Sequence, residues 1–225
     1  SKNDRFRTRP SGRGSRGLRR ESFMSLFSSK PPSGYLVLGS FTAQFRDYKI
    51  SSIRIDDALP IMQWRNEQIS VLRQQTPLTE EEQLSYFSNI VAQSFKQQQP
   101  ELVLVRYTLR DSLIGYGGLV HIDWETRSGE VSFLLATERT KDMYNYGMEC
   151  SIFMQLLKKC AFEVLGLNKI RTESYANRPW HVQAIESSGF RRESVLTQHV
   201  LVEGKKVDAV IASCLKEEYL QSIPN

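Results

Sequence analysis

From Tyr35 onward, apolar and polar positions follow regular spacings, and the clearest of these spacings is helical. Apolar side chains recur at i, i+3, i+4, i+7, i+8 and i+11 as Phe153, Leu156, Leu157, Cys160, Ala161 and Val164. A stripe of this kind is typical of an amphipathic helix that packs on a core. Gly166 follows the stripe, and glycine favours the end of a helix. The pattern therefore predicts a long helix between Tyr146 and Gly166.

Three more helices are predicted from capping signals and from apolar spacing. Asp57 is a typical cap for a helix that runs through Gln68, and Thr79 with Glu82 has the spacing of a capping box. Apolar residues at helical spacing extend this second helix to about residue 97. A fourth helix is predicted over residues 177–190, with Asn177 as a candidate N-cap.

Seven strands are predicted from runs that alternate or are rich in β-branched residues, bounded by turn residues. They cover residues 48–55, 101–109, 112–121, 130–135, 169–175, 190–202 and 207–215, with turns at Asp111 and at Glu203-Gly204. The predicted order β-α-α-β-β-β-α-β-α-β-β indicates a mixed α+β layer fold. A polar loop leads from the Glu130 strand into the long helix, and such a helix N-terminus favours binding of an anion.

Composition places the chain among ordinary globular proteins. Its 225 residues are 40% apolar and 24% charged, and no apolar run approaches the roughly 18 residues of a membrane span. The N-terminal stretch lacks the pattern of a secretory signal, so we expect a cytoplasmic protein. The three cysteines, Cys150, Cys160 and Cys214, lie in apolar patterns without metal-ligand spacing. We expect them to be buried thiols, with no disulfide and no metal site.

Residues 1–34 differ from the rest in being rich in Arg, Ser, Gly and Pro. Residues 1–30 have a net charge of +7 and the remainder −2, which gives the total of +5. We expect a basic, disordered arm over 1–34 and a folded domain over 35–225. The arm is interpreted either as a tail for RNA or a membrane surface, or as a non-native extension. The second interpretation is favoured, and nucleic acid is not expected as a partner.

Several segments occur in an order and spacing that resemble a known family. They are Trp64-Arg65-Asn66, Leu113 to Gly118, Glu130 to Phe133, Ala161-Phe162, Leu167 to Ile170, Asn177, Gly189-Phe190 and Glu217 to Tyr219. Over roughly residues 48–220 the chain resembles the GNAT superfamily of acetyl-CoA-dependent N-acetyltransferases. The branch it resembles holds ribosomal-protein N-terminal acetyltransferases and acetyltransferases of nucleotide-linked amino sugars. The resemblance implies a GNAT-like α+β fold, with a mixed central sheet of about seven strands, a mid-sheet splay and about four helices.

The resemblance also implies acetyl-CoA as co-substrate and a set of residues that bind it. These are Phe133, Leu134, Leu135, Arg139, Lys141, Asn145, Tyr146, Gly147, Met148 and Asn177. The amides of 133–135 would polarise the thioester, and residues 145–148 would cradle the pyrophosphate. The family's loop usually reads Gln/Arg-x-x-Gly-x-Gly/Ala, whereas residues 142–147 place Asp142 at the cation and Asn145 at the first glycine. Arg139 and Lys141 are candidates to supply the missing positive charge.

Transfer of an acetyl group to an amine needs a base for the amine and a proton for the departing thiolate. Glu130 and His121 are the preferred base candidates, with Asp123, Glu125 and Glu173 as alternatives. The family often has a Tyr four residues before the Gly-Phe pair, and here Ile185 stands there. Candidate proton donors are Tyr175, His181, Ser187 or solvent.

Residues from the first helix, its following loop and the second helix are predicted to form the acceptor site: Trp64, Arg65, Arg73 and Tyr86. Aromatic side chains there would stack on a base or sugar, and arginines would pair with phosphates. Trp64 has core packing as an alternative. We expect transfer to the primary amine of a nucleotide-linked amino sugar by a monomer or homodimer. The alternatives are a protein or peptide N-terminal acetyltransferase and an inactive acyl-CoA-binding module.

Overall fold

The computed structural model describes residues 34–223. The basic arm predicted over 1–34 lies outside the described residues except for Gly34, so it stays a prediction. One sheet contains β1 (Thr42–Phe45), β2 (Tyr48–Ser52), β3 (Val103–Leu109), β4 (Ser112–Asp123), β5 (Ser128–Leu135), β6 (Lys169–Tyr175), β7 (Arg191–Val202) and β8 (Lys205–Leu215). The main helices are α1 (Ala58–Glu67), α2 (Glu80–Tyr86), α3 (Met143–Lys158), α4 (Pro179–Ser187) and α5 (Lys216–Ser222).

The strand order in this eight-stranded sheet is β1-β2-β3-β4-β5-β6-β8-β7. Neighbouring strands are antiparallel, except that β5 and β6 are parallel. Parallel neighbours need a crossover connection, and α3 supplies it between β5 and β6. The mixed α+β prediction is therefore confirmed.

Both faces of the sheet are covered, as the buried side chains of β3 show. On one face, the rings of Tyr107 and Phe153 of α3 lie edge to face with centroids 5.3 Å apart. On the other face, the backbone amide of Leu104 donates to the Tyr35 hydroxyl at 3.1 Å, and Tyr35 packs edge to face on Phe95. The sheet is thus the middle of three layers, with the core on each side of it.

Local signals located most elements correctly. The Thr79 capping box is present, because Thr79 Oγ1 accepts from the Glu82 amide at 3.2 Å and Glu82 Oε2 accepts from the Thr79 amide at 2.8 Å. The predicted turns at Asp111 and at Glu203-Gly204 are confirmed, with the positive φ angles that tight hairpins require. The cysteines are buried free thiols, as expected. In the described part of the chain, no helix is long and apolar enough to cross a membrane.

Three details differ from the prediction. Strand β1 was missed because it is four residues long and buries a single side chain, Ala43, which leaves little periodic signal. Helix α5 was also missed, because it follows β8 without a break. Helix α4 begins at Pro179 with Arg178 at the N-cap position. Asn177 is therefore an exposed turn residue, and its assignment as the N-cap was wrong.

Candidate functional site

An opening in the middle of the sheet brings several of the predicted site residues together. Strands β5 and β6 pair over three residues, Ser128–Glu130 of β5 with Lys169–Arg171 of β6. Beyond them β5 stays paired with β4 as far as Leu135, and β6 stays paired with β8 as far as Tyr175. The two strands therefore diverge, and a cleft of about 310 Å³ fills the opening.

The edge of β5 that faces β4 is defined by two close contacts. A Cβ built on Gly117 would come within 2.1 Å of the Ser132 carbonyl oxygen, and one built on Gly115 within 2.7 Å of the Leu134 carbonyl oxygen. Glycine at both positions allows the two backbones to approach. Ser132 and Leu134 thus direct their backbone groups to β4.

The opposite edge of β5 faces the cleft. Adjacent residues of a strand direct their backbone groups to opposite edges. The last pair with β6, Glu130 with Arg171, engages the Val131 amide, so Phe133 and Leu135 are the residues of β5 whose amides face the opening. Gln68 Nε2 donates to the Leu135 carbonyl oxygen at 2.8 Å, which marks that edge as free of a strand partner. Of the amides predicted to polarise a thioester, those of Phe133 and Leu135 face the opening, whereas that of Leu134 faces β4.

Two carboxylates from the diverging strands meet on one arginine. Arg73 places the same Nη2 atom 2.8 Å from Glu130 Oε1 and 2.9 Å from Glu173 Oε2. Arg171 lies 3.4 Å from the other oxygen of Glu130. All but Arg171 line the cleft, and the Glu130 side chain is 10% exposed. The structure therefore brings Glu130, Glu173 and Arg73 together, as candidate base, alternative base and candidate substrate ligand.

The other catalytic candidates have different surroundings. Tyr175 lines the cleft at the end of β6, where burial raises the pKa of its phenol despite the opposing charge of Arg73. His121 is exposed on a bulge of β4, with a φ of 50°, outside the cleft lining. Asp123 and Glu125 are exposed in the adjoining hairpin, and Ser187 is exposed at the end of α4. The geometry thus groups Tyr175, but not His121, with Glu130.

The α4 side of the cleft carries a connected polar cluster. Tyr146 is 3% exposed, and its hydroxyl lies 2.8 Å from His181 Nδ1 and 2.9 Å from Arg178 Nη2. Burial lowers the pKa of His181 to about 3, and the charge of Arg178 acts in the same direction. Both His181 and Arg178 line the cleft, together with Ile185. No carboxylate pairs with Arg178 among residues 34–223, so its charge is uncompensated.

Ser174 adds an unsatisfied polar atom to the cleft wall. The residue is 4% exposed, and its Oγ has no hydrogen-bond partner in the described part of the protein. Buried hydroxyl groups are normally paired. The unpaired Oγ in the wall of the opening can therefore form a hydrogen bond with a polar ligand.

The N-terminus of α3 already holds an anion, which is Asp142. Its Oδ1 accepts from the amides of Tyr144 at 2.9 Å and Asn145 at 3.3 Å, and its Oδ2 accepts from Asn145 Nδ2 at 2.7 Å. Asp142 therefore points at the helix rather than outward. Further along, a Cβ on Gly147 would meet nothing within 4 Å, so this backbone is open to close approach, and Met148 next to it is 40% exposed.

The cations predicted to replace the lost loop cation are engaged in ion pairs. Arg139 forms a two-point pair with the buried carboxylate of Glu149, with Nε 2.7 Å from Oε2. Tyr48 donates to the same carboxylate at 3.1 Å. Lys141 lies 2.6 Å from Glu138 at the surface. Their predicted contacts with the cofactor stay a prediction, as does that of the exposed Asn177.

The predicted acceptor residues divide between two places. Arg65 lines the cleft, and it also lines a neighbouring cavity of about 320 Å³ that Tyr86 borders. Its partners are neutral: Nε donates to Gln74 Oε1 at 3.0 Å, and Nη1 donates to the Tyr116 hydroxyl at 2.7 Å. Trp64 lies half-buried against the core and lines neither space. Its alternative interpretation as a core aromatic fits this position.

Sequence reasoning missed Arg178 and Ser174 and left His181 as one alternative among several. Two signals were present. Ser174 is four residues after the buried Ile170, so the two side chains lie on the same face of β6. His181 lies one helical turn before Ile185, so these two side chains share a face of α4.

Comparisons with known proteins agree with this geometry. The family model described as acetyltransferase (GNAT) domain matches residues 50–211. A curated relative, the uncharacterized N-acetyltransferase p20 of Bacillus licheniformis, is 22% identical over 171 residues, which cover 76% of this chain and 93% of the relative.

Solved structures of similar fold include spermidine N-acetyltransferase from Vibrio cholerae in complex with CoA and spermine. It has a TM-score of 0.69 and 18% identity, and the match covers 78% of this chain and 99% of that chain. A dodecameric structure of the same enzyme in an intermediate state has a TM-score of 0.67 and 18% identity, with 80% and 100% covered. The match confirms the fold expected from the sequence.

Replacing Gly147 with Ala should separate stability from cofactor binding. The new methyl group enters open space in the free protein, and Ala in a helix interior is favoured over Gly by about 0.5–1 kcal/mol. We therefore expect a higher free energy of unfolding in urea, together with an affinity for CoA that is lower by about tenfold or more in calorimetry, or about 1.4 kcal/mol.

Ser151→Ala, in the same helix, is the control, with a small gain in stability and unchanged affinity. Unchanged CoA affinity in Gly147→Ala would refute the placement of the cofactor against Gly147.

Proposed function

Because the chain belongs to the acetyltransferase (GNAT) domain family and is an acetyl-CoA-dependent N-acetyltransferase, we propose that it acetylates the primary amine of a small molecule in the opening between β5 and β6. The observation that carries this proposal is the divergence of the two strands after Glu130. It exposes backbone donors and two carboxylates to one cleft.

The residues of the opening fit acetyl-CoA. This co-substrate supplies an acetyl group activated as a thioester. The Phe133 and Leu135 amides present donors to a carbonyl oxygen, as in an oxyanion site. Ser174 offers an unpaired hydroxyl, and Gly147 leaves its backbone accessible at the N-terminal end of α3. Arg178, which pairs with no carboxylate among residues 34–223, adds a positive charge to the same wall of the cleft.

The amine is assigned to the position now occupied by Arg73. One nitrogen of this guanidinium lies within hydrogen-bond distance of both Glu130 and Glu173, so the carboxylates already hold a cation between them. A protonated amine brings the same charge and donors to that position. Glu130, at the base of the opening, then accepts the proton that the amine must lose before it attacks.

Arg65 favours an acceptor that also carries an anion. Its side chain faces the cleft with neutral partners only, so a phosphate would gain charge-assisted hydrogen bonds from it. A nucleotide-linked amino sugar combines the amine and the phosphate, and the chain would then belong to the branch that acts on such sugars. A polyamine is the second candidate, favoured by the two carboxylates and by what the solved spermidine N-acetyltransferases bind.

Initial rates of CoA release with a panel of acceptors test this assignment. The panel contains nucleotide-linked amino sugars, spermidine, aminoglycosides and peptides with free N-termini. We expect the highest kcat/KM with a nucleotide-linked amino sugar. Arg65→Gln should lower that value by about tenfold to a hundredfold and leave spermidine unaffected, since a hydrogen bond to a charged group contributes about 1.5–3 kcal/mol.

Arg127→Gln, in an exposed hairpin, is the matched control and should change neither value. A preference for spermidine or for peptide N-termini would replace the amino-sugar assignment, and an equal loss for all acceptors in Arg65→Gln would contradict the phosphate contact.

Glu130→Gln tests the base. The change keeps the shape and removes the proton acceptor, so kcat/KM for the amine should fall by about 10²–10⁴. Calorimetry should give an affinity for acetyl-CoA within about threefold of the parent, or about 0.7 kcal/mol. Glu101→Gln, at an exposed position before β3, is the control. Activity of Glu130→Gln near that of the parent would assign the base to another residue.

A further inference from the structure

His181 reaches the cleft from the helix face on which the family's tyrosine would stand. Ile185 occupies that tyrosine position, and its apolar side chain has no proton to donate. His181 precedes it by one turn of α4, and both residues line the cleft. Side chains four residues apart lie on the same face of a helix. His181 is therefore placed to act on a ligand beside Ile185.

The hydrogen bonds around His181 determine which ring nitrogen carries the proton. An arginine has donors only, so the Tyr146 oxygen accepts from Arg178 Nη2 at 2.9 Å. The buried Tyr146 hydroxyl then has one proton, and its remaining partner is His181 Nδ1 at 2.8 Å. Nδ1 is thus an acceptor, and the proton of the neutral ring lies on Nε2. This tautomer is assigned from the network.

Nothing within the described residues uses the Nε2 proton. Nδ1 is the ring atom that has a hydrogen-bond partner. Nε2 has no partner among residues 34–223 and is not fully enclosed by protein, so it is accessible from the cleft that His181 lines. Burial keeps the ring neutral at physiological pH, because it lowers the pKa of His181 to about 3. Ser174 Oγ is a second unpaired group in the same wall. A buried hydroxyl group without a partner is rare unless a ligand meets it.

We propose that His181 donates its Nε2–H hydrogen bond to the sulfur of the acetyl-CoA thioester and stabilises the negative charge that develops there. As the C–N bond forms and the C–S bond breaks, the electron pair of the C–S bond stays on sulfur. Glu130 has taken the first proton of the ammonium group before attack, and the proton that the nitrogen loses as the C–S bond breaks passes to water. The His181 proton stays on Nε2, and the thiolate takes a proton from water after release. Tyr146 and Arg178 are positioning residues, since they fix the tautomer and the ring.

This inference rests on the same opening as the proposed function, but not on the identity of the acceptor. Its first test uses the free protein. In ¹⁵N spectra of the imidazole, His181 should show a protonated Nε2 and an unprotonated Nδ1 from about pH 5 to about pH 8. Tyr146→Phe should shift the ring toward a mixture of tautomers. A protonated Nδ1 or a charged ring in the parent protein would overturn the assignment.

The second test measures the thiol of bound CoA by the ultraviolet absorbance of its thiolate. A hydrogen bond to the charged form lowers a pKa. The thiol should therefore titrate about one pKa unit or more higher in His181→Leu than in the parent, and less so in His181→Gln, whose amide retains an N–H donor. Gln183→Ala, exposed on the same helix, is the control and should leave the thiol pKa unchanged.

Turnover provides a third readout. His181→Leu should lower kcat by about 10²–10³, the cost of one lost donor at a developing charge. The KM for acetyl-CoA should stay within about threefold of the parent value, or about 0.7 kcal/mol.

A thiol pKa equal to that of the parent in a His181→Leu protein that binds CoA would overturn the proposal. If that variant fails to fold, His181→Gln and the imidazole spectrum decide. If CoA does not bind the parent protein, the proposed function fails, whereas the tautomer assignment is tested independently.

Discussion

The pairing of β5 with β6 stops after Glu130, and the site depends on that limit. The outer partners of both strands continue, β4 along β5 to Leu135 and β8 along β6 to Tyr175, so the two strands must separate. An unpaired strand edge is normally a liability. Here the edge lies inside the fold, bordered by α3 and α4. Its backbone donors are held in place by the rest of the sheet and need little reorganisation to meet a ligand.

Charge is distributed unevenly around this opening. One side therefore suits the acceptor amine, and the other suits the co-substrate. Arg73 joins Glu130 of β5 to Glu173 of β6 and thereby ties the diverging strands together on one side. On the α4 side Arg178 pairs with no carboxylate of residues 34–223. Its Nη2 donates to the neutral Tyr146 hydroxyl, which is in turn hydrogen-bonded to His181. The first side suits an amine, and the second suits the thioester end of the co-substrate, where negative charge develops. The ion pair of Arg139 with the buried Glu149 links the loop before α3 to that helix, and Tyr48 of β2 donates to the same carboxylate.

Local rules account for what the sequence predicted well. The apolar stripe of α3, the capping box at Thr79 and the two hairpin turns depend on residues within a few positions of each other. The same local patterns placed Glu130 on β5 and Glu173 and Tyr175 on β6, and their catalytic roles stay predictions. Long-range pairing was not accessible: Arg139 is engaged by Glu149 and Asp142 caps its own helix, and neither is visible in spacing. His121 failed to reach the cleft because a bulge in β4 turns its backbone to a φ of 50°.

Amide hydrogen exchange, measured residue by residue by NMR with and without CoA, tests the central claim that the open edge of β5 receives the co-substrate. Ser132 and Leu134 are paired with β4, so their amides should exchange slowly in both states. The amides of Phe133 and Leu135 face the opening, and at least one of them should become protected when CoA binds. That alternation along a single strand would support the account. Protection by CoA confined to another element, with β5 unchanged, would contradict it.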